Sequence, residues 1–221
     1  MDLLLKYFTD FSSLQLKQLE ALEDVYKEWN EKINVISRKD IDHLYERHVL
    51  HSLSIAAVFS FKSGSQIVDL GCGGGFPAIP LAVFFPQVQF HLVDSISKKL
   101  KVAEAVAKSI GLSNITTEHA RIEALKDVKF DFVVSRAVAP LKQLWLWSKP
   151  LIKRNINADL QATAERLSLP GGKIKPGLIC LKGGDLAQEI AESHTRPYVL
   201  PISEIFTEPY FESKYLVYVP A

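Results

Sequence analysis

The chain has 221 residues, 48% of them hydrophobic and 23% charged, and its 26 Lys and Arg against 25 Asp and Glu leave a formal net charge of +1. That length suits one sizeable α/β domain with an appendage and is too short for two full domains. A near-neutral balance excludes the broad electrostatic grip of proteins that hold long nucleic acid through its phosphates, so any polyanion must be met by a local patch.

No apolar run has the length of a membrane span, and the start MDLLLKYF lacks the basic and small-residue flanks of a secretory signal. The two cysteines, Cys72 and Cys180, fall in a glycine loop and an apolar run. Reduced thiols in a cytoplasmic protein are the expectation.

In chain order, residues 12–32 read as a helix, with Leu19, Leu22, Val25, Tyr26 and Trp29 recurring at three- and four-residue steps. An irregular stretch follows, and Asp40 or Asp42 is placed to cap a second helix running to about Phe59. That helix carries Arg47, His48 and His51. The two histidines share a face, but no carboxylate or cysteine completes a ligand set, so no metal is expected. A polar rim of the site or a solvated face are the readings left. Residues 1–60 are thus an expected helical extension packed on a core of residues 61–221.

The core opens with QIVDLGCGGGFPAIP (66–80), a strand, a glycine-rich turn and a helix start. Gly71, Gly73 and Gly75 give GxGxG. The dinucleotide fingerprint GxGxxG would need glycine where this chain has Phe76. A bulky ring there denies a pyrophosphate its close approach and offers a flat apolar surface to an uncharged or cationic nucleoside, which favours S-adenosylmethionine over NAD. A tight turn kept only for packing is the bland alternative. The next strand, QFHLVD, ends in Asp94, placed to accept from ribose hydroxyls. Its other reading, a helix cap, is better filled by Ser95 or Ser97.

An amphipathic helix follows with Leu100, Ala103, Val106, Ala107 and Ile110 inward and Gly111 as its terminator. Lys98, Lys99 and Lys101 crowd its first turns, where the helix dipole disfavours cations; a phosphate partner or a solubilising face accounts for them. A third strand, 115–120, leads to Arg121, Ile122 and Glu123, a turn able to offer an N–H and a carboxylate to an adenine edge. A fourth, 130–135, runs into Arg136 at the sheet's carboxyl edge, where open α/β folds bind ligands; an ion pair with Glu123 or Asp94 is the alternative. Beyond a helix over 141–152 carrying Trp145 and Trp147 comes a polar excursion, 154–176, with a short helix over 158–167. A fifth strand over 177–184 contains Lys182, a helix spans 185–194, and 198–206 with 214–219 should close the sheet as an antiparallel pair.

Laid out this way, the chain resembles the bacterial RsmG (GidB) family. The resemblance rests on WNEKINVIS, YERHVLHS, DLGCGGGFPAIPLA, LVDSISKK, ARIEAL, FDFVVSRAVAPL and LKGG in this order. It implies a class I S-adenosylmethionine-dependent methyltransferase (Rossmann-like) fold: a mostly parallel seven-stranded sheet with a final antiparallel strand and N-terminal helices. It further implies methyl transfer to N7 of a guanosine in 16S rRNA of the small ribosomal subunit; a monomer is the expected state. Carried over by position, cofactor contacts fall on Gly71, Phe76, Ile122, Glu123 and Arg136, with Asp94 at the ribose, and Gly73 of the same loop is expected to bind cofactor as well. The chain departs from the family's pattern at His51, where aspartate is commoner, and in the longer 154–175 stretch.

Guanine N7 carries an in-plane lone pair and no proton, so attack on a sulfonium methyl needs no general base. Arg136 is the expected catalytic residue, shaping the reacting end, and Arg47, His48, Lys98 and Lys182 are expected RNA contacts. No Asn/Asp-Pro-Pro-aromatic motif of exocyclic-amine methylation is present, and neither cysteine is placed for a C5 adduct. The rival readings are a small-molecule methyltransferase, an NAD-dependent oxidoreductase, and a non-catalytic S-adenosylmethionine-binding module of the ribosome.

Overall fold

The computed structural model describes residues 1–125, 128–136, 138–153 and 174–221. Seven strands form one sheet: β1 (Gln66–Leu70), β2 (Gln89–Asp94), β3 (Ile115–His119), β4 (Phe132–Arg136), β5 (Gly177–Gly183), β6 (Tyr198–Pro201) and β7 (Lys214–Pro220). Their order is β3-β2-β1-β4-β5-β7-β6. The first five run parallel, and β7 lies antiparallel between β5 and β6. Because β2 and β4 flank β1 on opposite sides, the carboxyl ends of β1 and β4 bound a crevice at the point where strand order reverses.

The central strands are buried on both faces, which explains their unbroken apolar runs. Register then sorts side chains by face. Val68, Val133, Leu178 and Val219 are successive cross-strand neighbours and belong to one apolar layer. Ile67, Phe90 and Phe132 belong to the other, with Leu19, Leu22 and Tyr26 from the N-terminal helices. The period-two pleat accounts for that division.

Around the sheet lie α1 (Asp2–Leu5), α2 (Ser13–Lys32), α3 (His51–Leu53), α4 (Ala78–Phe84), α5 (Ser97–Ser109), α6 (Leu141–Ser148) and α7 (Ala187–Ser193). A capping box starts α2: Ser12 Oγ accepts from Gln15 N–H while the Gln15 side chain accepts from Ser12 N–H. Helix α5 ends as its sequence predicts. Gly111, at φ +71°, donates to the Lys108 carbonyl and Leu112 to that of Ala107, satisfying the last turn.

The structure differs from the expected elements in several places. The segment after Asp40 is a 3₁₀ turn (Ile41–His43), a π-helical turn (Tyr45–Leu50) and the short α3, and no side chain caps it. Asp40 instead accepts from Ser37 Oγ and Arg47 Nη1, both at 2.6 Å. Strand β4 begins two residues later than expected, Phe130 making only an isolated bridge to Ile152. Helix α6 tightens after Ser148 into a 3₁₀ turn over Lys149–Leu151, where Pro150 lacks the N–H that an α-helix would use. Strand β6 stops at Pro201 and turns into 3₁₀ geometry. The expected helix over 158–167 lies outside the described residues.

The glycine loop gives a direct test of local strain. Gly75, at φ +105°, would set a Cβ 2.3 Å from Ile79 Cδ1, whereas a Cβ on Gly73, at φ +55°, meets nothing within 4 Å. Gly75→Ala is expected to cost about 3 kcal/mol, combining backbone strain with overpacking. Gly73→Ala should cost only the left-handed backbone term of roughly 1 kcal/mol. Urea denaturation of the two variants checks the ordering; equal costs would count against the clash at Gly75.

Candidate cofactor pocket and reacting end

Strand β1 delivers the glycine loop to the crevice, and backbone bonds moor it to β2: Gly71 and Cys72 N–H both donate to the Val93 carbonyl, at 2.8 and 3.1 Å. Asp94, closing β2, fastens it further. Its Oδ2 accepts from Gly73 N–H and its Oδ1 from Ile96 N–H, each at 2.8 Å. The expected caps Ser95 and Ser97 do not act; α5 starts from Ile96 without a side-chain cap, and Asp94 serves that N–H instead. Below the loop, buried Asp69 accepts from Ala78 N–H at 3.1 Å, fixing the start of α4. Its other oxygen has no partner, and burial pushes the carboxyl up to about 7 against the pull of that N–H.

The N-terminal helices hold the loop from the other side. Tyr26 donates its hydroxyl to the Gly74 carbonyl at 2.8 Å. Val35 lies so close that a Cβ on Gly74 would stand 2.8 Å from the valine Cβ. The turn bearing Val35 is shaped by Asn30, whose Oδ1 accepts from Val35 and Ile36 N–H and whose Nδ2 donates to the Ile36 carbonyl.

These elements enclose a cavity of about 840 Å³, within the range of small-molecule sites. Gly71, Gly73, Phe76, Asp94, Ile122, Glu123 and Arg136 all line it. Sequence reasoning missed Val35, Val138 and Trp147 as wall residues. Trp147 reads in sequence as one more apolar residue of α6, and Val35 lies in a stretch without periodicity.

Arg136, the last residue of β4, lines the cavity. Its Nη2 stands 2.9 Å from His48 Nδ1, its Nη1 donates to the Arg47 carbonyl at 3.4 Å, and its guanidinium carbon lies 4.9 Å from the Phe76 ring centroid. It forms no ion pair with Glu123 or Asp94 among the described residues. Phe76 lines the cavity and also joins a cluster of side chains within the chain. Its ring stacks on Tyr26 at 4.8 Å, meets His48 at 5.0 Å and carries the Arg136 cation, so with 4% of the residue exposed it offers no broad face to a nucleoside.

The family model described as GidB, rRNA small subunit methyltransferase G, matches residues 15–160. The chain belongs to this family. Ribosomal RNA small subunit methyltransferase G of Bacteroides thetaiotaomicron is 52% identical over 218 residues, spanning 99% of this chain and 98% of the relative. That of Cytophaga hutchinsonii is 47% identical over 222 residues, spanning 100% of both. Among solved structures, an S-adenosylmethionine-dependent methyltransferase from Aquifex aeolicus aligns with TM-score 0.54 at 13% identity, over 83% of this chain and 98% of that one. A mutant of MtNAS in complex with S-adenosylmethionine aligns with TM-score 0.54 at 12% identity, over 94% and 77%. Both share the fold. It is the class I methyltransferase fold, and this GidB family member is an S-adenosylmethionine-dependent rRNA methyltransferase.

The pocket fits that cofactor on its own geometry. Gly73 leaves open space beside Asp94, whose carboxylate keeps lone pairs beyond the two N–H bonds it accepts. Cys72 lines the cavity, but burial raises its thiol well above the ordinary cysteine value, which suits a wall and not a nucleophile.

Of the residues expected to meet RNA, Arg47, His48 and Lys182 have partners within the chain, and Lys98 is exposed. Arg47 pairs with Asp40 at 2.6 Å, and its guanidinium lies 5.6 Å from the Tyr210 ring. Lys182, 9% exposed, donates to the Ala139 carbonyl and to Glu189, which also accepts from Leu141 N–H at the start of α6. Its ammonium thus joins β5 to α6 and α7. Lys98 is exposed on the first turn of α5 and does not line the cavity; its neighbour Lys99 does. His51 is buried between the rings of Tyr210 and Phe211, with Nε2 unpartnered, and burial holds it well below the ordinary histidine value. Among the described residues no three His, Cys, Asp or Glu side chains gather as a metal site, and no helix is long and apolar enough to cross a membrane.

Proposed function

We propose that this rRNA methyltransferase transfers the methyl group of S-adenosylmethionine to N7 of a guanosine in 16S rRNA of the small ribosomal subunit, acting as a cytoplasmic monomer. The observation that supports this most is near-full-length identity of about half to curated rRNA small subunit methyltransferases, in a chain whose strand-end pocket has an acid facing a side-chain-free loop. S-adenosylmethionine supplies a methyl group on a positively charged sulfur. Asp94 would accept from the ribose hydroxyls, and Ile122 with Glu123 would meet the adenine edge. Arg136 would direct its remaining N–H donors at the reacting end. Lys98, Lys99 and Lys101, grouped on one helix end, supply the local basic patch that a near-neutral chain needs for RNA phosphates.

In this reading the chain holds two reactants in line and moves no proton, so rate comes from proximity and alignment. The side chains agree. Burial and the neighbouring Arg136 hold His48 down at about 3, so it stays neutral across the physiological range. Asp69 is the group near the pocket whose burial places it close to 7. In Asp69→Asn, kcat is expected to change by less than about twofold between roughly pH 6.5 and 8.5, and any inflection of the parent enzyme near 7 should be gone. A bell that survives this substitution would reveal a general base. Mapping N7-methylguanosine in small-subunit RNA from cells with and without the gene tests the whole reading; identical maps would refute it.

A further inference from the structure

We infer that His48 is a positioning residue for methyl transfer: its imidazole, accepting at Nδ1, sets the plane in which Arg136 presents its remaining donors to the reactants. The inference rests on the proposed methyltransferase reading, and it gives His48 a role other than contact with RNA.

A guanidinium has donors only, so the 2.9 Å approach of Arg136 Nη2 to His48 Nδ1 requires a lone pair on Nδ1 and the ring proton on Nε2. A protonated ring would offer no lone pair and would set two cations side by side. Burial keeps the imidazole neutral, which makes the acceptor permanent at physiological pH.

Local backbone geometry brings a second acceptor to the same cation. In the turn Tyr45–Leu50 the His51 N–H bonds the carbonyl of His48 and not that of Arg47, as an α-helix would have it. The Arg47 carbonyl meets Arg136 Nη1 at 3.4 Å and the Tyr210 hydroxyl at 3.5 Å, and it also accepts from the buried His51 ring. The i→i−3 bond from His51 N–H to the His48 carbonyl is 3₁₀-like and closes a π-helical turn, and π-turns are rare and recur at functional sites. Arg47's own guanidinium is turned away to Asp40, so that residue acts here through its backbone.

The hold is continuous with the cofactor cradle. His48 and Arg136 both rest on Phe76, Phe76 stacks on Tyr26, and Tyr26 donates to Gly74 in the glycine loop. Arg136 is thereby fixed to the same stack that supports the loop. Misplacement by about 1 Å of a group that aligns reactants costs about 10²-fold in rate, which sets the size of the expected effect.

The test compares His48→Phe, which keeps a ring on Phe76 and removes the acceptor, with His48→Asn, whose amide oxygen can take the place of Nδ1. Assayed on small-subunit RNA, His48→Phe is expected to lose about 10²-fold in kcat with the KM for RNA within about threefold, and His48→Asn to recover to within about tenfold of the parent enzyme. In parallel, ¹⁵N resonances of the Arg136 guanidinium report its rotation without any turnover. Slow rotation in the parent and in His48→Asn, with fast rotation in His48→Phe, is the expected pattern. Unchanged rotation or unchanged kcat in His48→Phe would overturn the inference. So would a loss confined to the KM for RNA, which would make His48 an RNA contact, or a failure of asparagine to rescue. If the parent chain methylates no RNA the proposed function fails, and the guanidinium measurement still decides what His48 does.

Discussion

Arg136→Ala is expected to lower kcat/KM by about 10²- to 10³-fold, because in the proposed function Arg136 aligns the reactants and that alignment is lost with it. The defect should not be one of folding. Arg136 is a half-buried cation held by a neutral imidazole, a backbone carbonyl and an aromatic ring, with no carboxylate bonded to it among the described residues. Its removal leaves His48 Nδ1 and the Arg47 carbonyl without that donor while relieving a desolvated charge, so the Tm should fall by only a few degrees while activity falls far more. Arg136→Lys should recover little, since an ammonium keeps the charge but cannot reach two acceptors in a plane while lying over a ring. Turnover at the parent rate in Arg136→Ala would refute the assignment, and a large fall in Tm alongside the lost activity would recast the residue as structural.

What the sequence makes legible at this site is what a strand-to-turn boundary fixes locally. Gly71 and Gly73, Asp94 at the end of β2 and Arg136 at the end of β4 are placed by short-range pattern, and all of them line the cavity. Position along a strand does not reveal what a polar tip will meet. Lys182 near the end of β5 looks in sequence like Arg136 at the end of β4. Yet Glu189, one helix later, takes its ammonium, while Arg136 finds its partner in the N-terminal segment. The same limit hides Tyr26, whose apolar-stripe position predicts burial but not that its hydroxyl bonds the glycine loop 48 residues away. A buried tyrosine in an aliphatic stripe does carry one usable signal, that its hydroxyl needs a partner. The π-turn at Tyr45–Leu50 leaves no comparable trace, because a helical period over so few residues does not separate 3.6 from wider windings. Pro201 did carry a sign of the shortened β6, since proline removes a ladder donor.

Asp94→Ala is expected to raise the Kd for S-adenosylmethionine by about 10²-fold or more, through two losses at once. The proposed acceptor for the ribose hydroxyls disappears, and the backbone N–H groups of Gly73 and Ile96 lose the carboxylate that moors the loop to α5. Hydrogen bonds to a charged group contribute about 1.5–3 kcal/mol each, and about 1.4 kcal/mol is tenfold in affinity, so one or two lost bonds reach that size. Asp94→Asn is not conservative here. Its single amide oxygen can serve one N–H, while its NH₂ would face the other donor, so an intermediate loss is expected. Calorimetry with S-adenosylmethionine measures the series, and undiminished binding in Asp94→Ala would remove the acid from the sugar site. Kinetics then separate the two ends of the pocket. With Asp94 proposed to act on binding and Arg136 on alignment, saturating cofactor should restore the kcat of Asp94→Ala to within about tenfold and leave that of Arg136→Ala depressed. The reverse pattern would exchange the roles assigned to the loop's acid and to the cation at the end of β4.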